Sequence, residues 1–426
     1  MDYRRATFRR VTTTVLAGLV GVVGIAACGG DGGDERLIRV PTDAPTIAEA
    51  LKRAKPGTTI EIAAGTYNEA LDVTVDRITI RGEDRNAVIL DGEHKLSNGV
   101  SVAADDVAVE NLTVRNYLQN GVVFNGVSAA TDDGRSGDSV VYGTGEAVLT
   151  GYRVSYVTTY NNGLYGIYAF ASRDGLIEHS WASGHPDSGL YVGQCQPCNV
   201  VIIDSIAVQN AIGYFGTNAS GGVVVARSEF RRNRLGIAPN SQDMERLAPQ
   251  AEAVFVGNVV ADNDDPSAPA IPEDYFGSGI AVGGGTKNRI LRNLVTGHSR
   301  AGIELLTMDG YIPRGNRFEG NVLSDNATDV LFAATDLTDA GENCFVGNQL
   351  ATSLPADIET LMPCDAAAKG FTMPRSPQTA PPPKVDYRKI PAPADQPTMP
   401  ETARRATAGA GEIPTVDIDS IGVPTQ

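Results

Sequence analysis

The chain has 426 residues, a formal net charge of −16 and 47 glycines, and aromatic residues make up 6% of it. This length is sufficient for a large core. The acidic balance argues against nucleic acid as a partner, because phosphate binding needs clustered Lys and Arg. The same charge disfavours direct electrostatic attraction to polyanionic sugars unless a cation mediates it. The oligomeric state is left open.

The N-terminus has the pattern of an export signal. Four arginines within the first ten residues precede an apolar run over 15–27, which is short for a permanent membrane span. The run ends in Ala26-Ala27-Cys28-Gly29, and small residues before a cysteine resemble the bacterial lipobox, in which the cysteine is lipidated and becomes the mature N-terminus. An ordinary signal peptide that contains a cysteine is the alternative, and both Sec and twin-arginine export remain open.

The lipobox resemblance implies a signal peptide over 1–28, lipidation of Cys28 and a location on the outer face of the cell membrane. The glycine-rich stretch 29–37 then serves as a flexible tether. The membrane is accordingly an expected partner, reached through acyl chains.

Four cysteines remain after Cys28, an even number that suggests disulfides in an exported chain. Their spacing favours the pairs Cys195–Cys198 and Cys344–Cys364. The Cys-x-x-Cys spacing of the first pair is also compatible with a redox or zinc motif, although no second such motif accompanies it.

An internal repeat extends over most of the chain. A glycine followed by an apolar run recurs at steps of about 23 residues, and two longer steps each contain one unit plus a loop, over 129–147 and 264–276. The repeat glycines are Gly121, Gly166, Gly189, Gly213, Gly236, Gly279 and Gly302. A unit this short, without a helix, cannot bury its own apolar face, but stacked copies can.

The repeat predicts an all-β fold, a single-stranded right-handed parallel β-helix (solenoid) of about a dozen coils over 38–364. A leucine-rich repeat is the main rival, but its leucine spacing is absent and β-branched residues dominate. Asn residues before the repeat glycines, including Asn116 and Asn161, predict a polar ladder at a turn between sheets. His185 and His298 fall within a residue of this position, which favours a ladder role for His185 over a catalytic one.

Several N-terminal stretches resemble the opening of pectin-lyase-like right-handed β-helix proteins. They are Ile38 to Thr42, Thr46 to Tyr67, Ile78 to Glu83 and Ile89 to Gly92. The resemblance covers roughly residues 38–362 and implies the fold. It leaves the reaction open, because this fold hosts lyases, hydrolases, esterases, epimerases and non-catalytic adhesins. A short capping helix from Ile47 to Ala54, with Thr46 or Asp43 as its N-cap, is expected to close the open end of the core.

Strand alternation predicts an exposed aromatic stripe. The first and third residues after each repeat glycine are mostly apolar and point inward, so the second points outward. This column contains Tyr168, Tyr191 and Phe215 on successive coils and Glu304 further along. Such a patch is typical of a binding surface, and flat rings suit sugar faces. Cover by the 129–147 loop or by the C-terminal tail is an equally weighted alternative.

Candidate catalytic residues lie around this stripe. They are His185, Asp187, Tyr191 and Arg173, and Tyr168, Tyr191, Phe215, Gln194 and Glu304 are the candidate substrate-binding residues. Glycoside hydrolysis needs two carboxyls about 5–9.5 Å apart, and no matching column of Asp or Glu is present. Elimination or C5-epimerisation of a uronate needs a base and a group that neutralises the carboxylate, for which tyrosine, His185 and Arg173 are available.

The sequence therefore predicts a surface-anchored protein that binds or processes a polysaccharide or cell-surface glycan. If it is an enzyme, a uronate lyase or C5-epimerase is favoured over a hydrolase, and a non-catalytic glycan- or protein-binding lipoprotein is the alternative. No metal-ligand set or cofactor is identified, and no motif supports Ca²⁺. The Pro-rich segment 365–426 is expected to be an extended or disordered tail.

Overall fold

The computed structural model describes residues 36–126, 149–243, 246–270, 276–334, 342–369 and 380–425. Within these ranges the inner coils each contribute one strand to sheet A, one to sheet B and one to sheet C, and the strands pair in parallel with those of the neighbouring coils. About 12 coils stack along one axis, which confirms the predicted right-handed parallel β-helix. The expected signal peptide with Cys28 and the 129–147 loop lie outside the described residues.

Sheet A has 12 strands and sheet B has 10, numbered here in chain order. Sheet A contains β1 (Arg36–Val40), β2 (Thr58–Ile62), β5 (Thr79–Gly82), β8 (Val107–Glu110), β11 (Leu149–Ser155), β14 (Ser172–Glu178), β17 (Val200–Ile203), β20 (Val223–Ala226), β23 (Val254–Val256), β26 (Arg289–Leu291), β29 (Arg317–Glu319) and β32 (Cys344–Val346). Sheet B contains β3 (Gly65–Tyr67), β6 (Val88–Asp91), β9 (Thr113–Arg115), β12 (Thr158–Tyr160), β15 (Trp181–Ser183), β18 (Ile206–Val208), β21 (Glu229–Arg231), β24 (Val259–Ala261), β27 (Leu294–Thr296) and β30 (Val322–Ser324).

Sheet C has 11 strands, and two strands in the middle of the sheet have eight residues each. It contains β4 (Leu71–Val73), β7 (Val100–Val102), β10 (Val122–Asn125), β13 (Ile167–Phe170), β16 (Ser188–Cys195), β19 (Ile212–Ala219), β22 (Leu235–Asn240), β25 (Ser278–Gly283), β28 (Ala301–Leu306), β31 (Val330–Ala333) and β33 (Ser353–Leu354).

Two short α-helices in the described part of the chain flank the coils. Helix α1 (Ile47–Arg53) begins at Thr46, whose hydroxyl accepts a hydrogen bond from the Glu49 N–H at 3.1 Å, as the predicted N-cap requires. Its apolar side, Ile47 and Ala50, is buried in the core at the N-terminal end. Helix α2 (Ile358–Leu361) lies beside the last strand of sheet A at the other end. None of the helices in the described ranges has the length and apolar character needed to cross a bilayer.

A ladder of polar side chains marks the corner between sheets B and C. Asn233 donates through its backbone N–H and its Nδ2 to Asn263 Oδ1, at 3.1 and 2.9 Å, and this pattern recurs between coils. Asn116 and Asn161, which the sequence predicted as ladder residues, each lie one residue before the ladder position. Both adopt the left-handed conformation, with φ of 60° and 54°, and the next residue in each coil takes the ladder position.

Both predicted disulfides are confirmed. Cys195–Cys198 closes the end of β16, and Cys344–Cys364 ties β32 to the segment after α2. Cys195 and Cys198 are fully buried, so this pair is a structural crosslink of the solenoid wall. The zinc and redox alternatives therefore have no support from the geometry.

The tail was expected to be extended or disordered, and residues 380–425 lie extended along the solenoid. From Pro382, bonded to Arg234, the tail runs toward the N-terminal coils, where the Met399 N–H donates to Asn111 Oδ1 at 2.7 Å. It then returns along sheet A, where Arg292 donates to the Ile421 carbonyl at 2.6 Å. Three 3₁₀ turns interrupt it, Tyr387–Lys389, Glu401–Ala403 and Ile418–Ser420.

The tail is ordered because the solenoid offers it an apolar surface. Ile413, Val416, Ile418 and Ile421 of the tail pack against the outer face of sheet A. The residues of sheet A in this contact are Leu176, Val201, Ile203, Ala226, Val256 and Leu291. Burial of these side chains offsets the conformational entropy that the Pro-rich segment loses when it becomes ordered.

Candidate functional site

The predicted aromatic stripe lies on the outer face of sheet C. In the parallel register Tyr168 pairs with Tyr191, and Tyr191 pairs with Phe215. The rings of Tyr168 and Tyr191 are stacked, with centroids 4.6 Å apart and an interplanar angle of 18°, and the Tyr191 and Phe215 centroids are 6.0 Å apart. The spacing of about 23 residues therefore places these three rings on neighbouring coils, as predicted.

Two further rings, which the sequence analysis did not single out, widen this stripe. The Tyr165 ring lies 4.6 Å from Tyr168 and 5.1 Å from Tyr191, and the Phe170 ring is parallel to that of Tyr168 at 5.8 Å. Tyr165 lies one residue before Gly166 and Phe170 four residues after it, so the repeat spacing could have indicated both rings. The five residues Tyr165, Tyr168, Phe170, Tyr191 and Phe215 are called the aromatic platform below.

The aromatic platform is only partly accessible. Tyr165, Tyr168 and Phe215 are half-buried, whereas Tyr191 is 3% exposed and Phe170 is 5% exposed. The sequence left open whether the stripe is exposed or covered, and the structure shows both: three rings are partly exposed and two are buried. A ligand would meet the rings of Tyr165, Tyr168 and Phe215 first.

A shallow depression continues the platform along the solenoid axis. Beyond Phe215 the same column holds Ala238 and then Ala281, whose short side chains leave room for about one water molecule, about 10 Å³. The residues that line it are Phe215, Leu235, Ala238, Asn240, Ala281, Gly283, Leu306 and Met308.

Two loops form walls beside the platform and the depression. On one side, the loop after β22 is held by a hydrogen bond from the Leu247 N–H to Gln194 Oε1 at 3.2 Å. On the other side, Ala270 in the segment after β24 packs against Ile212 and Leu235. The outer face of sheet C between these two segments is called the trough below, and it is the candidate site.

Gln194 and Glu304, predicted to bind substrate, are both engaged within the protein. Gln194 is 1% exposed and holds the wall loop. Glu304 is 4% exposed and accepts two hydrogen bonds from Arg300, at 2.9 and 2.6 Å, and one from the Ser278 hydroxyl at 2.8 Å. Glu304 also lies three coil steps beyond Phe215, about 14 Å along the axis.

His185 is enclosed in the ladder between sheets B and C. Its backbone N–H donates to Asn210 Oδ1 at 3.1 Å, and its ring nitrogens lie 3.2 Å from Thr159 Oγ1 and 3.4 Å from the Asn162 carbonyl. The side chain has no exposed surface, and burial lowers its pKa to about 4. This placement favours the ladder role over proton transfer to a ligand in the trough.

Asp187 lies beside the platform. Burial raises its pKa to about 7, against the opposing effect of hydrogen bonds with Tyr165 and Ser188. A carboxyl that is half-protonated near neutral pH and contacts a tyrosine is suited to proton transfer. Asp187, Tyr191, Tyr168 and Phe215 are therefore the predicted residues that the structure brings together.

Arg173 lies apart from this group, on β14 of sheet A. Its guanidinium is 3.7 Å from the Asp174 carboxylate, and it donates a hydrogen bond to Thr150 Oγ1 at 3.4 Å. The cationic partner proposed for uronate chemistry is thus turned to a different sheet. Within the described ranges no group of three or more His, Cys, Asp or Glu side chains is arranged to hold a metal ion.

Comparison with known proteins supports the fold. A family model described as the right-handed beta helix region matches residues 139–348. None of the curated proteins compared with the chain matches it.

Solved structures similar to this chain include a C-5 epimerase module and two lyases. The A-module of Azotobacter vinelandii mannuronan C-5 epimerase AlgE4 has 15% identity and a TM-score of 0.49, over 72% of this chain and 90% of that one. An alginate lyase from Paenibacillus sp. has 14% identity and a TM-score of 0.38, over 75% and 99%. Pectate lyase Pel9A has 14% identity and a TM-score of 0.41, over 86% and 90%. At these identities the likeness concerns the fold alone.

Proposed function

We propose that this protein binds a polysaccharide in the trough on the outer face of sheet C. The observation that carries the proposal is the continuous surface formed by the aromatic platform and the depression beyond Phe215. Sugar rings have flat apolar faces that pack against aromatic rings, and concave apolar surfaces are the usual location of ligand sites. A rigid solenoid holds these side chains in place without further ordering on binding.

Binding without turnover is the function that the described geometry supports best. Glycoside hydrolysis would need two carboxyls about 5–9.5 Å apart, whereas the column positions of Tyr191, next to Asp187, and Glu304 are about 19 Å apart along the axis. Uronate elimination would need a cation near the base, and Arg173 lies on sheet A.

Turnover of a uronate is the second candidate. The contact between Asp187 and Tyr165, with the carboxyl pKa near 7, favours it as an acid–base pair. Elimination yields an unsaturated product, so a rise in ultraviolet absorbance across a panel of uronate polymers would support the lyase. A flat absorbance trace with all of them would reject it.

The binding proposal is tested by Tyr168→Ala. Loss of the ring stacked on Tyr191 removes one of the three accessible rings of the platform, so we expect glycan affinity to fall at least about tenfold, or about 1.4 kcal/mol. The measurement is a glycan-array screen followed by titration calorimetry. Tyr156→Ala is the matched control, since Tyr156 stacks on His179 at another corner of the solenoid. Equal affinities of the two variants would place the ligand elsewhere.

The proposed place of action is the outer face of the cell membrane, with the chain anchored through a lipidated Cys28. The basic, apolar and small-residue pattern before Cys28 supports this proposal. Cys28→Ser is expected to move the protein from the membrane fraction to the soluble exported fraction. Retention in the membrane fraction would speak against the anchor.

A further inference from the structure

The floor of the trough has an unusual charge pattern. Three columns of side chains form the outer face of sheet C over six coils, and a single residue among them, Glu304, carries a formal charge. The columns are Tyr165, Ser188, Ile212, Leu235, Ser278 and Ala301; Tyr168, Tyr191, Phe215, Ala238, Ala281 and Glu304; and Phe170, Gly193, Thr217, Asn240, Gly283 and Leu306.

The one carboxylate of this floor is compensated locally. Arg300 binds both oxygens of Glu304 and is largely enclosed with it. These three columns therefore offer no net charge to a ligand, although the chain as a whole carries −16. Asp187, which contacts Tyr165 at the edge of the columns, is a buried carboxyl whose raised pKa keeps it partly neutral near pH 7. An ionised ligand group placed on this floor would lose hydration without gaining a counter-charge, which is costly.

The floor does offer neutral hydrogen-bonding groups. Asn240 lines the depression, is 1% exposed, and its Oδ1 has no hydrogen-bond partner among the described residues, although its Nδ2 donates to the Ala238 carbonyl at 3.1 Å. The Thr217 hydroxyl, which pairs with Asn240 on the neighbouring coil, is likewise buried without a partner in the described structure. Buried acceptors of this kind are satisfied by hydroxyl or amide donors.

We propose that the ligand of the trough is a linear, uncharged polysaccharide that lies along the solenoid axis. This inference rests on the proposed function and names the class of glycan. The apolar sugar faces pack on the platform and in the depression, and a hydroxyl or amide hydrogen of the ligand donates to Asn240 Oδ1. The column from Tyr168 to Ala281 spans four coil steps, about 19 Å, so the surface holds several sugars of one chain.

One exposed cation borders this surface. Arg246 lies in the wall loop after β22, adjacent to Leu247. Its positive charge would favour the binding of an acidic polymer. The experiment therefore includes Arg246→Ala.

The test is titration calorimetry of the full-length protein in detergent with neutral and acidic polymers. The neutral probes are hydroxyethyl cellulose, galactomannan and N-acetylated chitin oligomers, and the acidic probes are alginate and polygalacturonate. We expect at least one neutral probe to bind ten times more tightly than either acidic one, with less than a twofold change in affinity between 0.1 and 0.5 M salt. Arg246→Ala is expected to leave this affinity unchanged.

Tighter binding of an acidic probe, lost in Arg246→Ala or at high salt, would overturn the uncharged class while the proposed function stood. Binding of no probe at all would overturn both. Ala281→Leu fills the depression and is expected to weaken the neutral probe at least tenfold, and the same change at the exposed Ala366 is the control. Unchanged affinity in a folded Ala281→Leu variant would overturn the placement along the axis.

Discussion

His185 and His298 occupy positions of the ladder between sheets B and C that are held by asparagine in most of the neighbouring coils, such as Asn210, Asn233 and Asn263. His298 uses both ring nitrogens as an amide uses its two ends, with Nδ1 2.7 Å from Asn326 Oδ1 and Nε2 3.2 Å from Asn263 Nδ2. A neutral imidazole has one donor and one acceptor, so it can continue the ladder only while it is uncharged. Burial accordingly lowers the pKa of both histidines to about 4.

His185→Asn is expected to make the protein more tolerant of acid. The folded-state pKa lies below the unfolded value of 6.5, so the folded state binds fewer protons, and stability is lost as the pH falls from about 6.5 to about 4. The variant should match the wild type within about 1 kcal/mol at pH 7 and exceed it near pH 4.5. Thermal unfolding across this range is the measurement.

Glycan binding provides the complementary readout for the same variant. A ladder residue should leave the affinity unchanged. Loss of binding or turnover in a folded His185→Asn protein would restore the catalytic hypothesis.

Asp187→Asn should act in the opposite direction along the pH axis. Burial raises the folded-state pKa of Asp187 to about 7, so the folded state keeps a proton that the unfolded state releases, and stability decreases as the pH rises from about 4 to about 7. The amide removes this cost, and we expect the variant to gain up to a few kcal/mol at pH 8 and nothing near pH 4.

Thermal unfolding of Asp187→Asn at pH 4, 6 and 8 measures this effect. Asp72→Asn is the control, because Asp72 is an exposed carboxylate of sheet C at the N-terminal end. A variant that is equally displaced from the wild type at all three pH values would contradict the assignment.

The residues of the candidate site differ in how far the sequence could predict them. The stacking of Tyr168 on Tyr191 followed from the distance to the repeat glycines alone. The burial of Gln194 did not, because the group it holds, Leu247, is 53 residues away in a loop without repeat spacing. The engagement of Glu304 by Arg300 was accessible in principle, since the two are four residues apart.

Strands β17 and β20 carry a signal that the sequence analysis left unused. Val200 to Ile203 and Val223 to Ala226 are apolar at consecutive positions, whereas a strand with one solvated face alternates. Such runs indicate that something covers the outer face of the sheet. The cover is the tail, through Ile413 to Ile421, so strand patterning could have chosen between the extended and the disordered tail that composition left open.

In the N-terminal half of sheet A, one column of the outer face consists of charged side chains. Arg39, Glu61, Arg81 and Glu110 form one column across successive strands, and Arg81 Nε lies 2.8 Å from Glu110 Oε2. Alternating signs on neighbouring strands attract, whereas like charges in register would repel. The column therefore changes from charged to apolar along sheet A, and the tail contacts both parts, since Arg81 also donates to the Arg405 carbonyl at 3.3 Å.

The tail joins coils that the solenoid itself leaves independent. In a repeat fold each coil contacts its neighbours only, so stability is a sum of local terms. Arg85, 2% exposed, donates to carbonyls of His179 and of Pro397 in the tail, at 2.9 and 3.1 Å. Arg234 and Arg292, several coils away, bind the tail at Pro382 and Ile421.

Deletion of residues 380–426 is expected to lower the free energy of unfolding by several kcal/mol. The deletion exposes the apolar column of sheet A and removes burial worth about 1.5–3 kcal/mol for each large tail side chain. Chemical denaturation followed by circular dichroism measures the loss. Deletion of residues 422–426, which keeps Ile421, is the control. An unchanged midpoint for the longer deletion would show that the tail is dispensable.

The global architecture was the part most open to prediction, because periodicity is a property of the whole chain and tolerates local errors. A second ladder, between sheets A and B, was not predicted, and the fold was nevertheless assigned correctly. In this ladder the Asn258 N–H donates to Asn293 Oδ1 at 3.0 Å. The path of the tail was not accessible in this way, since an extended segment without repeats carries no register.

The returning path of the tail also sets the order in which the molecule is completed. Its last turns dock on strands that were synthesised some two hundred residues earlier, as with Ile421 and Ile203. A chain without residues 413–421 would therefore expose the apolar outer face of sheet A that these residues cover. The middle of the solenoid in this way depends on a segment that is made long after it.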